Sequence, residues 1–145
     1  MPTISFSNAD TKASITQRTR LKAFITKLFY EEGKGLKSLQ YVFCSDDYLL
    51  NINQQFLHHD TYTDIVTFDL SENAEDTIGE IYISVDRVKE NSIALSVPFL
   101  TELYRVMFHG ALHLCGFKDK KKSEKEEMRY KEDYYLRLYS QSKLE

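Results

Sequence analysis

Tryptophan is absent from this chain, and glycine, proline and cysteine are scarce, at five, two and two in 145 residues. With so few chain breakers, the elements must be joined by short polar turns rather than by flexible linkers. Cys44 and Cys115 stand far apart with no paired spacing. That excludes a disulfide framework and favours a reducing, cytoplasmic setting. No apolar run approaches the roughly 18 residues of a membrane span. The N-terminal stretch also lacks the basic region and apolar core of a secretory signal. Positive charge is not in excess: 19 Lys and Arg face 22 Asp and Glu, a net charge of −3. A protein that wraps polyanions with its whole surface is thereby excluded, whereas a local basic patch is not. The remaining composition, 42% hydrophobic and 28% charged, is that of a soluble globular protein and not of a disordered one. The length corresponds to a single domain over residues 1–145.

The residue pattern predicts nine elements. Ile4 and Phe6 alternate with polar neighbours as in a strand. Residues 14–32 follow a helical period, with Ile15, Leu21, Phe24, Ile25, Leu28 and Phe29 on one face and Gly33 and Gly35 at the end. A second strand covers Leu39 to Phe43, and Ser45-Asp46-Asp47 starts a helix to about Leu57. Asp64–Asp69 and Gly79–Ser84 read as two further strands joined by an acidic connection. A short helix capped by Ser84 or Asp86 runs to about Ile93. Another follows Pro98 with an apolar face that includes Leu103, Val106, Met107 and Ala111, closing at Gly116. Residues 123–139 form the last helix, with Met128, Tyr135, Leu136 and Tyr139 available for packing. This order implies an α/β chain of α+β type. Its mixed sheet has about four strands, packed with about five helices, and the site lies at a cleft.

The chemistry is concentrated in His109-Gly110-Ala111-Leu112-His113-Leu114-Cys115-Gly116-Phe117-Lys118-Asp119. Residues i and i+4 of a helix share a face at about 6 Å, so His109 and His113 can offer two imidazole nitrogens to one ion. Gly116 allows the left-handed turn that returns Asp119 to the same place. Two histidines and one carboxylate, with a fourth position open, form a catalytic rather than a structural zinc arrangement. Such an ion lowers the pKa of its bound water toward about 7. Cys115 is off ligand spacing and reads as a small buried hydrophobe. A zincin peptidase would carry its general base immediately after the first histidine. That position is Gly110, which leaves a metallopeptidase a remote alternative.

The segment resembles the signature of the YbeY family of bacterial rRNA maturation factors, metal-dependent endoribonucleases. That signature reads His-Gly-x-Leu-His-Leu-x-Gly-Tyr-Asp-His. His109, Gly110, Leu112, His113, Leu114 and Gly116 match it, with Phe117 for the tyrosine and Asp119 for the third histidine. A carboxylate oxygen can take that ligand's place, although a harder donor changes metal preference. Leu50-Asn51 and Phe56–Phe68, including Asp60, Thr63 and Asp64, resemble a second family block, as does Gly79–Ser84. Met128 and Glu132 resemble the Met and Glu of the family's final helix. In that second block the family's frequent Arg falls at Leu57, its Lys at His59 and its Pro at Tyr62. The missing arginine matters most, because a guanidinium is a natural phosphate clamp. The resemblance implies a single-strand endoribonuclease in 16S rRNA 3′-end maturation and small-subunit quality control. It implies one Zn²⁺ or another divalent ion on His109, His113 and Asp119. It further implies rRNA and the small ribosomal subunit with its proteins as partners, and neither membrane nor DNA.

The charge distribution is compatible with RNA. Residues 117–145 hold nine Lys and Arg against seven Asp and Glu, whereas residues 1–116 hold ten against fifteen. Lys118, Lys120, Lys121 and Lys122 surround Asp119 and are candidate RNA contacts. A charge run is more often a solvated loop and helix start. Lysines there oppose the helix dipole, a cost that gives the RNA reading weight. Arg105, one turn before His109, and His59, in the loop before the third strand, are further candidates for catalysis or phosphate contact. Thr63 and Asp64 are expected to stabilise the strand entry, and Glu102 to support the ligands from behind. The alternative from a different class is a non-catalytic ribosome assembly factor whose metal serves stability.

Overall fold

The computed structural model describes residues 1–58 and 63–142. Nine elements follow the predicted order: β1 (Thr3–Asn8), α1 (Arg18–Glu31), β2 (Leu36–Cys44), α2 (Asp46–Leu57), β3 (Ile65–Asp69), β4 (Thr77–Ser84), α3 (Val85–Leu95), α4 (Phe99–Leu114) and α5 (Lys122–Gln141). The sheet order is β1-β2-β4-β3. β1, β2 and β4 are parallel, and β3 runs antiparallel to β4 at the edge. The fold is therefore α+β with a mixed four-stranded sheet.

Most boundaries sit within a few residues of expectation, because caps fix them. Ser45 Oγ accepts from the Tyr48 amide at 3.1 Å and starts α2. Ser84, rather than Asp86, caps α3 in the same way through the Arg87 amide. The first helix begins later than the periodicity suggests. Gln17 has φ 55°, which interrupts the helix ahead of Arg18. Ile15 and Ala13 are buried from an irregular approach instead. Apolar spacing alone could not separate a helical face from a packed loop.

The strand alternation divides the interior in two. On one face Leu39, Tyr41 and Phe43 of β2 and Ile81 and Ile83 of β4 meet α1, α3, α4 and α5 in the main core. On the other face Cys44 and Val66, with Phe68 and Tyr82 partly buried, pack against Leu49 and Ile52 of α2. Both cysteines are free thiols, and burial pushes each up to about 12, so neither is a reactive thiolate.

Helix α4 lies directly on the sheet. A Cβ at Gly110 would meet the ends of the Ile65 and Ile81 side chains at 2.9 Å, so a larger residue there requires those side chains to shift. A glutamate in the zincin base position would be driven into the sheet. On the same side, the fully buried Tyr41 hydroxyl donates to the Met107 carbonyl at 2.8 Å and ties β2 to the middle of α4. That bond satisfies a helix carbonyl already engaged in the α4 ladder and leaves no polar atom of Tyr41 unpaired.

Replacing Tyr41 with Phe removes this tie and keeps the ring. The expected loss is about 1–2 kcal/mol in a urea unfolding experiment, without loss of the fold.

Candidate metal centre

Three side chains converge at the end of α4. The Asp119 Oδ2 atom lies 3.2 Å from His109 Nε2 and 3.2 Å from His113 Nε2. All three ligand atoms fall within 4.8 Å of one another. An ion with tetrahedral bonds of about 2.0–2.1 Å separates its ligands by roughly 3.3 Å, so the spacing around Asp119 suits one small divalent cation. This His109-His113-Asp119 group could bind a metal.

The turn after α4 is built to close this group. The Phe117 amide donates to Leu112 O, and the Gly116 amide to His113 O, each at 3.0 Å. This is a Schellman ending, and it requires the left-handed conformation that Gly116 adopts at φ +107°. The same turn brings the Phe117 carbonyl within 2.9 Å of His113 Nδ1. Donation from Nδ1 to that carbonyl leaves Nε2 as the free lone pair facing Asp119.

His109 is fixed from a different element. Glu132 of α5 is buried, at 6% exposure, and its Oε2 atom lies 2.6 Å from His109 Nδ1. Its other oxygen accepts from Arg105 Nη1 at 3.2 Å. Arg105 also bonds Asp133 at 2.9 Å and pairs with Glu102 at 3.5 Å. The Glu102 contact is an ion pair without hydrogen-bond geometry, and it leaves the buried Oε1 atom of Glu102 with no hydrogen-bond partner. Burial works against the protonated His109 ring. Glu132, Asp119 and Asp64 outweigh it, so its pKa is held above the ordinary histidine value.

The three candidate ligands open onto a cavity of about 830 Å³. Its lining brings together Asp64, Glu102, Arg105, Lys120 and Glu132, with Leu57 and Leu95 on the wall. Arg105 thus lies in the cleft as expected, but three carboxylates surround it, and it holds Glu132 rather than standing free for a phosphate. Of the four lysines, Lys120 alone lines this cavity. Lys118 borders a separate depression beside Cys115 and Glu127. Lys121 and Lys122 are exposed at the start of α5. There the Glu124 side chain accepts from the Lys120 and Lys121 amides at 3.2 and 2.9 Å, which offsets the unfavourable lysine charge at the helix start. His59, like Asp60 and Tyr62, lies outside the described residues.

Two carboxylates have a larger place in the cleft than the residue pattern suggested. Asp64 and Glu102 both line the cavity, and burial raises both above the usual carboxylate range. The position of Glu132 carries a legible signal. It falls on the stripe Met128-Glu132-Tyr135-Tyr139, whose other members are all buried, so a carboxylate there had to be buried with a partner.

The architecture and this group define a class: a small α+β domain in which two histidines and a carboxylate that could bind a metal converge beside a cavity. Comparison with known proteins narrows the class. The profile of the family described as Endoribonuclease YbeY matches residues 5–140. A protein of that name from Cytophaga hutchinsonii is 46% identical over 136 residues, covering 94% of this chain and 95% of the relative. Another, from Flavobacterium psychrophilum, is also 46% identical and covers 94% and 96%. A Thermotoga maritima protein solved in solution superposes with a TM-score of 0.64 at 29% identity, covering 94% of this chain and 88% of that one. The chain belongs to the Endoribonuclease YbeY family, an enzyme family named for a hydrolytic nuclease.

Two outcomes follow for metal binding. A metal must displace the proton of His109, so affinity falls by about tenfold per pH unit below the raised pKa, from an onset above the ordinary histidine value near 6.5. Changing Glu132 to Gln removes the partner that raises it. The onset then moves to lower pH, and affinity at high pH drops about 10- to 100-fold. Competition with a chromogenic chelator across pH measures both. In the metal-free protein the sign is reversed. The stabilising His109⁺–Glu132⁻ contact is fully present below the unfolded pKa and is lost as pH rises through the raised folded one.

Proposed function

We propose that this protein is a metal-dependent endoribonuclease that cuts single-stranded rRNA, with Zn²⁺ held by His109, His113 and Asp119. The observation that carries the reading is the convergence of two Nε2 atoms on one carboxylate oxygen, each imidazole having its Nδ1 already committed elsewhere. Two imidazoles and one carboxylate suit zinc at a hydrolytic site, and Asp119 is part-exposed toward the cleft, where a fourth position can take water or a phosphoryl oxygen. Family membership supplies the reaction class. The 16S 3′-end role, small-subunit quality control, the ribosomal partners and a cytoplasmic location extend the same reading. Two free thiols accord with a reducing compartment, and no helix among the described residues is long and apolar enough to cross a membrane.

When bound, the ion supplies Lewis-acid polarisation of a phosphoryl oxygen and an acidified water. The chain does the rest. Glu132 and the Phe117 carbonyl turn the two Nε2 atoms toward Asp119. Arg105 neutralises Glu132 and Asp133, so that these carboxylates do not repel an incoming phosphodiester. Asp64 and Glu102, disposed by burial toward the protonated form, can each hold a proton in the cleft.

The test compares metal-loaded wild type with His113→Ala and Asp119→Ala on a single-stranded rRNA fragment. Each variant is expected to lose at least 100-fold in cleavage and to fall below stoichiometric metal, with its metal-free melting temperature within a few degrees of wild type. Cleavage that persists in His113→Ala would point to a contaminating nuclease. A wild type that binds metal and rRNA yet cuts nothing would favour the assembly-factor alternative.

A further inference from the structure

The family resemblance places an arginine where this chain has Leu57, and the structure shows what that exchange does to the cleft. Leu57 and Leu95, 40% and 52% exposed, give the cavity an apolar wall formed by the ends of α2 and α3. Neither side chain offers a hydrogen bond to a phosphate. Among the described residues, the cations that line the cavity are Arg105, Lys120 and Arg129. Arg105 is committed to Glu102, Glu132 and Asp133.

Arg129 differs. It stands on α5 one turn before Glu132 and Asp133, the two carboxylates a helical arginine would ordinarily take at i+3 and i+4. Both are already engaged, Glu132 by His109 and Arg105, and Asp133 by Arg105. Arg129 is exposed and has neither an ion pair nor a hydrogen bond among the described residues. It nevertheless lines the cavity, as Glu102 does. A planar guanidinium without a carboxylate partner, on the wall of a cavity that also holds the His-His-Asp group, is suited to grip a phosphate through two parallel hydrogen bonds.

We propose that Arg129, reaching the cleft from α5 and assisted by Lys120, is its phosphate-holding residue. The RNA backbone then lies along the α5 wall, and an unstacked base faces Leu57 and Leu95. The inference rests on the reading of the cleft as an RNA-cutting site.

The experiment titrates the metal-loaded full chain with a fluorescent single-stranded oligonucleotide carrying non-cleavable 2′-O-methyl sugars, at several salt concentrations. Wild type is compared with Arg129→Gln, Arg129→Lys and, as a charge-matched control on α1, Lys27→Gln. Arg129→Gln should bind about tenfold more weakly and show a salt dependence shallower by about 0.7 in log–log slope, the signature of one lost phosphate contact on a single strand. Arg129→Lys should recover part of the loss, and Lys27→Gln should stay within twofold of wild type. Metal content and melting temperature should be unchanged throughout. If Arg129→Gln matches Lys27→Gln while wild type binds, the inference fails and the RNA reading stands. Loss of metal or of thermal stability in Arg129→Gln would make the residue structural and also overturn it. If metal-loaded wild type binds no oligonucleotide, the RNA reading itself fails, and the inference with it.

Discussion

A carboxylate buried between two helices must be paired, because an isolated charge away from water costs far more than the marginal stability of a domain can supply. Glu132 meets this constraint with one oxygen on Arg105 and the other on His109. Both partners belong to α4, so the pairing fixes how α5 lies against α4. It also decides which nitrogen of His109 is free. Lys131 and Tyr135, its neighbours on α5, donate to Glu32 just past the C-terminal end of α1 and hold the helix from the other side. Much of what lies around the candidate centre follows from satisfying this one buried group.

The second ligand is fixed more economically. A single turn after α4 ends the helix, presents its carbonyl to His113 and returns the chain to Asp119. The close packing of α4 on β3 and β4 at Gly110 sets the backbone from which both histidines project. The cleft beside them has two unlike walls, a charged one from α4 and α5 and an apolar one from the ends of α2 and α3. The overall charge of −3 says little about this cleft, where Arg105, Lys120 and Arg129 stand among the carboxylates of Asp64, Glu102, Asp119 and Glu132.

Much of this was legible in the residues. The element order was clear because short-range signals agree: Ser45 and Ser84 as caps, strict alternation in Leu39–Phe43 and Ile81–Ile83, and Gly116 at a helix end. The convergence of His109, His113 and Asp119 was legible because i, i+4 geometry and a glycine turn are local properties. Features that depend on long-range contact were harder to read. Arg105 and Glu132 are 27 residues apart, and nothing in the spacing assigns one to the other. The four lysines looked equivalent in sequence, whereas the path of the turn puts only Lys120 on the cleft. Ile15 was buried as expected but not helical, since a left-handed Gln17 intervenes. Asp64 and Glu102 looked like supports for a strand entry and a ligand, and only the packing around them shows them as cleft carboxylates.

The central claim is that one divalent ion sits among His109 Nε2, His113 Nε2 and Asp119. X-ray absorption spectroscopy of the zinc-loaded protein tests it most directly. The account predicts a first shell of nitrogen and oxygen atoms only, at about 2.0–2.2 Å, with the scattering of two imidazoles and no sulfur. A sulfur shell near 2.3 Å, which would implicate Cys115, would contradict it. So would an ion surrounded by oxygen alone with no imidazole signature.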